Sequence, residues 1–247
     1  MQAPGRKIAA TLLASGIGLA LLATIAVWVL HPSGQARNLK IIAGTKDEVY
    51  YSHAATKEDA ESLGQALKAT GFFNDRGTTV LLSKGTAGTV VSFALNQDAW
   101  NRPDTVFSFE EIARRVAPSI GGFPVIVRLS DSVWSLRKQV VVGKAIIGAR
   151  DEIYYFGSAT EAEAKALGQA LASEGFLVDA GASVVLSKDG GTAISFVVGD
   201  GVWARPEAVA GFELLVRRVA ASVGGLPIEL RLLNSGMEIE KDVAAIR

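Results

Sequence analysis

KDEVYYSHAATKEDAESLGQALKATGF, residues 46–72, is written a second time at residues 150–176 as RDEIYYFGSATEAEAKALGQALASEGF. The offset is 104, and it becomes 103 after one deletion ahead of Trp203. At those offsets the match continues through Ser83-Lys84, Trp100-x-Arg102-Pro103, Arg114-Arg115-Val116-Ala117, Gly121-Gly122 and Arg128. The counterparts are Ser187-Lys188, Trp203-x-Arg205-Pro206, Arg217-Arg218-Val219-Ala220, Gly224-Gly225 and Arg231. A duplication of this length means two copies of one fold.

Within the repeated stretch, β-branched and tyrosine residues from Leu39 to Ser52 and from Gly143 to Phe156 predict extended chain, with a bend or bulge at Gly44 and Gly148. A helix follows from Thr56 and from Thr160. Thr160-x-x-Glu163 is a capping box, and Thr56-x-x-Asp59 is a shorter-armed version of it. Ala60, Leu63, Gly64 and Leu67 fall on one helix face, matched by Ala164, Leu167, Gly168 and Leu171. A mid-helix glycine costs about 1 kcal/mol against alanine, so Gly64 and Gly168 on the apolar stripe predict close approach to a sheet. Gly71 and Gly175 end the helices.

Further along, Thr79–Lys84 with Thr89–Leu95, and Ser183–Lys188 with Thr192–Val198, read as hairpins. The Trp-x-Arg-Pro loop comes next, and then a second helix begun by Ser108 or a turn earlier by Asp104. Phe109, Ile112, Ala113, Val116 and Ile120 form its apolar face in one copy, and Phe212, Leu215, Val216, Val219 and Val223 in the other. A last strand, Pro124–Leu129 or Pro227–Leu232, precedes a polar extension. The element order predicts an α+β chain of two tandem ferredoxin-like (βαββαβ) repeats, residues 39–140 and 141–247, each with a four-stranded antiparallel sheet covered by helices on one face. Alternation puts Val49, Tyr51, Val80, Leu82, Val91, Phe93, Val125 and Val127 under the helices. Tyr50, Leu81, Ser83, Val90, Ser92, Ala94, Ile126 and Arg128 then fall on the open face, which is more apolar than a solvated one and predicts a cover: the other copy or a second chain.

Before the repeats, residues 1–7 form a polar tail, 8–30 an uncharged run of 23 residues, and 31–38 a linker of turn-forming residues. A helix of that length measures about 35 Å, enough to cross a bilayer core of about 30 Å, and it exceeds a cleavable signal's apolar region. The expectation is an uncleaved transmembrane signal anchor, with Trp28 and His31 at the interface. Arg6, Lys7 and the free amine oppose Arg37, Lys40 and Lys46, and they favour a single-pass protein of the inner (plasma) membrane with its C-terminal domains extracytoplasmic. Ala10, Ala14 and Gly18 have the small-xxx-small spacing of close helix pairs.

Composition excludes several classes. The chain's formal charge is zero, so without Arg6 and Lys7 the remainder carries −2, and no basic field is offered to nucleic acid. With no cysteine there is neither a disulfide nor a thiolate nucleophile. Beyond the linker the single histidine is His53, with Gly157 in its place in copy two, which leaves no material for a triad or a His-rich metal site. Asp47-Glu48 and Asp151-Glu152 are neighbours on extended chain and point oppositely, which reads as a solvated turn or strand edge and not as a glycosidase pair. Gly85-Thr-Ala-Gly88 lacks the Gly-Lys-Ser/Thr of a phosphate loop and joins two strands. The Ser-Lys pairs face opposite ways along a strand. Neither an enzyme nor a cofactor is expected.

Two groups of residues are candidates for binding. Trp100 with Arg102, and Trp203 with Arg205, are an aromatic and guanidinium platform for a sugar or an anion, or else a core plug with its arginine stacked on it. Tyr50 with Arg128, and Tyr154 with Arg231, lie on the open sheet face. The Arg114-Arg115 and Arg217-Arg218 pairs suit the C-terminal half of a helix.

At Val49–Phe72 and Ile153–Phe176, the extended Tyr-Tyr, the capped start, Ala-x-x-Leu-x-x-x-Leu and the closing Gly-Phe resemble the first strand and helix of SPOR domains. The resemblance implies a ferredoxin-like module, carried on a membrane-anchored bacterial protein and binding septal peptidoglycan. It assigns no binding residue here, since the family's later Gly-Pro-Phe-like strand is missing. The functional expectation is a membrane-anchored protein whose duplicated, non-catalytic module binds a protein partner or forms a homo-oligomer; the alternative is a cell-wall glycan.

Overall fold

A computed structural model describes residues 39–86 and 88–247. The tail, the apolar run 8–30 and the linker lie outside the described residues, and no helix among those described is long and apolar enough to cross a membrane. The chain divides into two compact units, whose described parts are residues 39–142 and 143–247.

The first copy contains β1 (Leu39–Ala43), β2 (Asp47–His53), α1 (Lys57–Ala69), β3 (Thr79–Gly85), β4 (Gly88–Ala94), α2 (Pro103–Val116) and β5 (Val125–Ser130). Strand β6 (Leu136–Ile147) carries the boundary between the units. The second copy continues with β7 (Asp151–Gly157), α3 (Glu161–Ser173), β8 (Ser183–Lys188), β9 (Thr192–Val197), α4 (Pro206–Val219), β10 (Ile228–Leu233) and β11 (Ile239–Ile246).

The ferredoxin-like expectation is overturned. The described residues form eleven strands of mixed pairing, and within each unit every strand neighbours the next one in the chain. Strands β2 and β3 run parallel across α1, as do β4 and β5 across α2, while β1–β2, β3–β4 and β5–β6 are antiparallel. The second unit repeats this with β7–β8 and β9–β10 parallel, and β8–β9 and β10–β11 antiparallel. In a ferredoxin-like sheet each helical crossover steps over one strand; here it lands on the adjacent one. The reason lies in strands that the sequence pattern disguises. Gly44 adopts a left-handed φ of 82° and folds Leu39–Ala43 back on β2, filling the sheet edge that the other topology would give to β5. What reads as a polar extension is β6 or β11, pairing on the far side of β5 or β10. The fold expectation carried by the SPOR resemblance fails with it.

Local signals survive this change of topology. Thr56 and Thr160 cap their helices through complete capping boxes. The N3 acid of each box also pairs with a lysine in the last two positions of the next strand, Asp59 with Lys84 at 2.7 Å and Glu163 with Lys188 at 2.6 Å. This ties each helix start to the sheet. The helix-facing residues Val49, Val80, Val91, Val125 and Val127 are fully buried. Phe72, Phe93 and Phe109 cluster there with ring centroids 4.8–5.8 Å apart, and Phe176, Phe196 and Phe212 repeat the cluster at 4.9–5.9 Å. Each such pair contributes about 0.5–1.5 kcal/mol beyond area burial. A Cβ at Gly64 would lie 3.0 Å from the Ala43 Cβ, and one at Gly168 only 2.3 Å from Ile147, so these glycines do mark close helix–sheet approach.

Asp47 and Asp151 are buried, not solvated. Asp47 accepts from the N–H groups of Asp75 (2.8 Å), Gly77 (3.0 Å) and Thr78 (2.8 Å), and Asp151 from those of Asp179 (2.7 Å), Gly181 (2.8 Å) and Ala182 (2.8 Å). Asp75 and Asp179 in turn accept from the β1–β2 and β6–β7 turns at Thr45, Ala149 and Arg150. A pair of carboxylates thus fastens each hairpin turn to the loop after the helix. Burial pushes the Asp151 carboxyl up, but the N–H groups of Ala182, Asp179 and Gly181 outweigh it and hold it below the ordinary carboxylate range.

Candidate functional site

Pairing register places Tyr50 and Arg128 in one row across the open face of the first unit. The row reads Lys40, Tyr50, Leu81, Ser92, Arg128, Gln139, each residue directly opposite the next. Tyr50 and Arg128 are three strand spacings apart, about 14 Å. Arg128 Nε donates to Gln139 Oε1 at 3.0 Å, and Lys40 forms a 2.8 Å ion pair with Glu48 while lying 5.6 Å from the Tyr50 ring centroid. Tyr154 and Arg231 share a row of Tyr154, Val185, Ser195, Arg231 and Asp242 in the second unit, but there the face is not open: Tyr154, Val185 and Ser195 are buried. There Lys144 pairs with Glu152 at 2.8 Å, and the Tyr154 hydroxyl donates to the same carboxylate at 2.7 Å.

Comparing the copies position by position shows part of this face retained and part changed, with Ser52, Leu81, Val90 and Ile126 replaced by Phe156, Val185, Ala193 and Glu229. Lys40, Ile42, Glu48, Tyr50, Ser83, Ser92 and Arg128 recur identically as Lys144, Ile146, Glu152, Tyr154, Ser187, Ser195 and Arg231. The exposed sides of α1 and α3 have diverged, with Lys57 and Glu61 replaced by Glu161 and Lys165, a reversal of both charges. Ile42 and Ile146 are exposed at 57% and 48%, so burial does not account for their retention.

The two tryptophans occupy equivalent places in short 3₁₀ turns, Ala99–Asn101 and Val202–Ala204, and both are half-buried. Arg102 and Arg205 are helix N-caps followed by proline at the first helical position, which is what the repeated Trp-x-Arg-Pro encodes. Their side chains are exposed and make no cap hydrogen bond. The guanidinium over Trp100 belongs instead to Arg137, 5.6 Å from the ring centroid, at a register irregularity of β6. Asp131 accepts from Arg137 Nε (3.0 Å) and Nη2 (2.7 Å), and is itself fixed by the N–H groups of Val133 and Ser135. Partial burial raises the Asp131 carboxyl, but Arg137 and those N–H groups more than offset it and leave it below the usual range. The resulting cleft of 440 Å³ is walled by Trp100, Asn96, Asp98, Asp131, Val133 and Arg137. Asp98 keeps a left-handed φ of 63°, a conformation that Gly201 supplies in the second copy.

In the second unit the same hairpin turn is built on Asn234, whose Oδ1 accepts from the N–H groups of Gly236 and Glu238. Its Nδ2 donates to the carboxylates of Glu238 (3.0 Å) and Glu240 (2.9 Å). Glu240 stands where the first copy has Arg137, again at a register irregularity. Trp203 lines a cleft of 320 Å³ with Pro206, Val209, Glu213 and Lys241. Sequence reasoning missed Arg137 because it lies outside the repeated motifs; its signal was the Asp131-to-Asn234 and Arg137-to-Glu240 exchange.

His53, another residue the sequence reading set aside, has a left-handed φ of 59° and places its Nδ1 3.0 Å from Ser52 Oγ and 3.2 Å from Ser83 Oγ. No group of three or more His, Cys, Asp or Glu among the described residues is arranged to hold a metal. No protein-family model, curated protein or solved structure matches the chain.

Proposed function

We propose that this chain is a single-pass membrane-anchored protein whose duplicated, non-catalytic module engages another protein, or a second copy of itself, through the open sheet face of the first repeat. The observation that carries the reading is the recurrence of Lys, Tyr, Ser and Arg at these positions in both copies, while the exposed Lys57/Glu61 pair of α1 is reversed in α3. Tyrosine and arginine dominate the buried centres of protein interfaces, and a flat row of strand residues offers a broad surface in place of a pocket. The run 8–30 anchors the module at the plasma membrane, with the repeats on the extracytoplasmic side. Light scattering on the detergent-solubilised full chain, as wild type and as Tyr50→Ala/Arg128→Ala, tests this. A wild-type mass above the monomer, or a co-purifying protein, that is lost in the double variant supports the reading. A monomeric wild type with nothing bound, or an assembly indifferent to both substitutions, contradicts it.

A second reading, a cell-wall glycan, is favoured by Asn96 and Asp98 beside the Trp100 ring, a combination of aromatic face and planar polar groups suited to sugar hydroxyls. Retention of the full chain on purified sacculi that survives Trp100→Ala and Trp203→Ala together sinks it.

A further inference from the structure

The repeat has two outer surfaces, and each is exposed in one copy and buried in the other. The open sheet face is exposed in the first repeat, where Ile42 and Arg128 reach solvent, and buried in the second at Tyr154, Phe156, Val185 and Ser195. The outer side of the second helix shows the reverse. In α2, Glu111 lies opposite Phe109 and Val116 around the helix and is only 8% exposed. At the same position of α4 stands Leu214, which is 51% exposed. A repeat that buries glutamate there and exposes leucine does not need the leucine for its own core. Around Leu214 the stripe at i−7, i−4 and i−3 is Glu207, Ala210 and Gly211, all exposed.

We propose that the outer side of α4 from a second copy of this chain packs on the open sheet face of the first repeat. Parallel strand pairs such as β2–β3 and β4–β5 are ordinarily buried on both faces, and the helices of their own repeat cover one. A 14-residue helix such as α4 is about 21 Å long, and the face from β1 to β6 is about 24 Å wide, so one helix spans it. Leu214 then meets Tyr50 and Leu81, and Ala210 and Gly211 leave room for the ring. Arg128, whose Nε is bound to the neutral Gln139, gains a carboxylate from Glu207. The cations on that side of α4 are engaged by their own chain, Arg217 by the carbonyl of Arg247 and Arg218 by Glu174, so little of their charge opposes Arg128. Because the two surfaces differ, the contact is heterologous: each copy offers both, and copies add head to tail. The inference rests on the protein-interaction reading and names the occupant of its face.

The test is light scattering on the full chain in detergent, with two variants that each spoil one surface. Leu214→Glu removes the helix side, and Tyr50→Ala/Arg128→Ala removes the sheet side. Each alone should be monomeric, with a thermal melt like that of the wild type, and Leu214→Ala, which favours the helix and adds no charge, should weaken assembly in the same direction. Mixed in equal amounts, the two spoiled variants should form a dimer of one of each and stop there, because one intact pair of surfaces remains. Assembly lost in Tyr50→Ala/Arg128→Ala but kept in both Leu214 variants overturns the inference alone, as do two monomeric variants that stay apart on mixing. A wild type that stays a single copy also overturns it: with nothing bound it takes the protein-interaction reading down as well, and with a foreign protein held by the sheet face it leaves that reading standing.

Discussion

Asp151 accepts a 2.7 Å hydrogen bond from the backbone N–H of Asp179, 28 residues later, and Asp47 is bonded in the same way to Asp75 at 2.8 Å. Replacing Asp151 by alanine leaves three N–H groups of that loop without their acceptor. Unsatisfied buried donors cost about 1–3 kcal/mol each, less whatever water recovers, so Asp151→Ala should lose about 3 kcal/mol in chemical denaturation. Asp151→Asn, which keeps one acceptor oxygen, should lose roughly half as much.

The same carboxylate sets part of the acid sensitivity. Asp151 is held below its ordinary range by its N–H partners against burial, and Glu163 is lowered chiefly by Lys188. A carboxyl depressed on folding contributes stability above its unfolded value, about 4, and that stability is lost as the pH falls through the lower folded one. Stability measured from pH 6 to pH 2 should therefore fall below about pH 4, and less steeply in Lys188→Met, where Glu163 loses its partner.

Gly143 and Tyr155 set the start of the second copy. A Cβ on Gly143 would fall 1.9 Å from Tyr155 Cζ, whereas the first copy places Leu39 opposite Tyr51. Gly143→Leu, though it copies the first repeat, should destabilise by about 1–3 kcal/mol through overpacking, and Tyr155→Ala in the same chain should recover part of the loss. Thermal melts of the single and double variants measure both effects.

The Arg137 guanidinium over Trp100 should be worth about 1 kcal/mol at this half-exposed site. Arg137→Gln is expected to lower stability by that amount, and the cost should shrink when Asp131 is already asparagine, as a double-mutant cycle would read.

How much of this was legible beforehand divides along one physical line. Short-range signals carried through: Thr56 and Thr160 as caps, Gly64 and Gly168 as close approaches, and the alternation that separates Val49 and Val80 from Tyr50 and Leu81. Strand order did not, because periodicity fixes which way a side chain faces and not which edge a strand meets. Gly44 announced a change of direction, but a bend and a full hairpin share that residue, and choosing the bend removed β1 and opened the way to the ferredoxin-like order. Asp47 and Asp151 looked solvated because their partners are backbone N–H groups about 30 positions away, which no side-chain pattern reveals. For the candidate site, Trp100 and Trp203 stand out in the repeat, whereas Arg137 lies at the start of β6, in a stretch whose sequence reads as polar extension.

The central claim, that the open sheet face is the interaction surface, is tested most directly by thiol cross-linking in intact membranes, since the chain has no cysteine of its own. Arg128→Cys places a thiol on the exposed row, and Lys57→Cys places one on the diverged face of α1. The account predicts a discrete cross-linked species, a dimer or a partner adduct, from Arg128→Cys and none from Lys57→Cys. Equal cross-linking at both positions, or none at Arg128→Cys while its thiol reacts freely with maleimide, would contradict it.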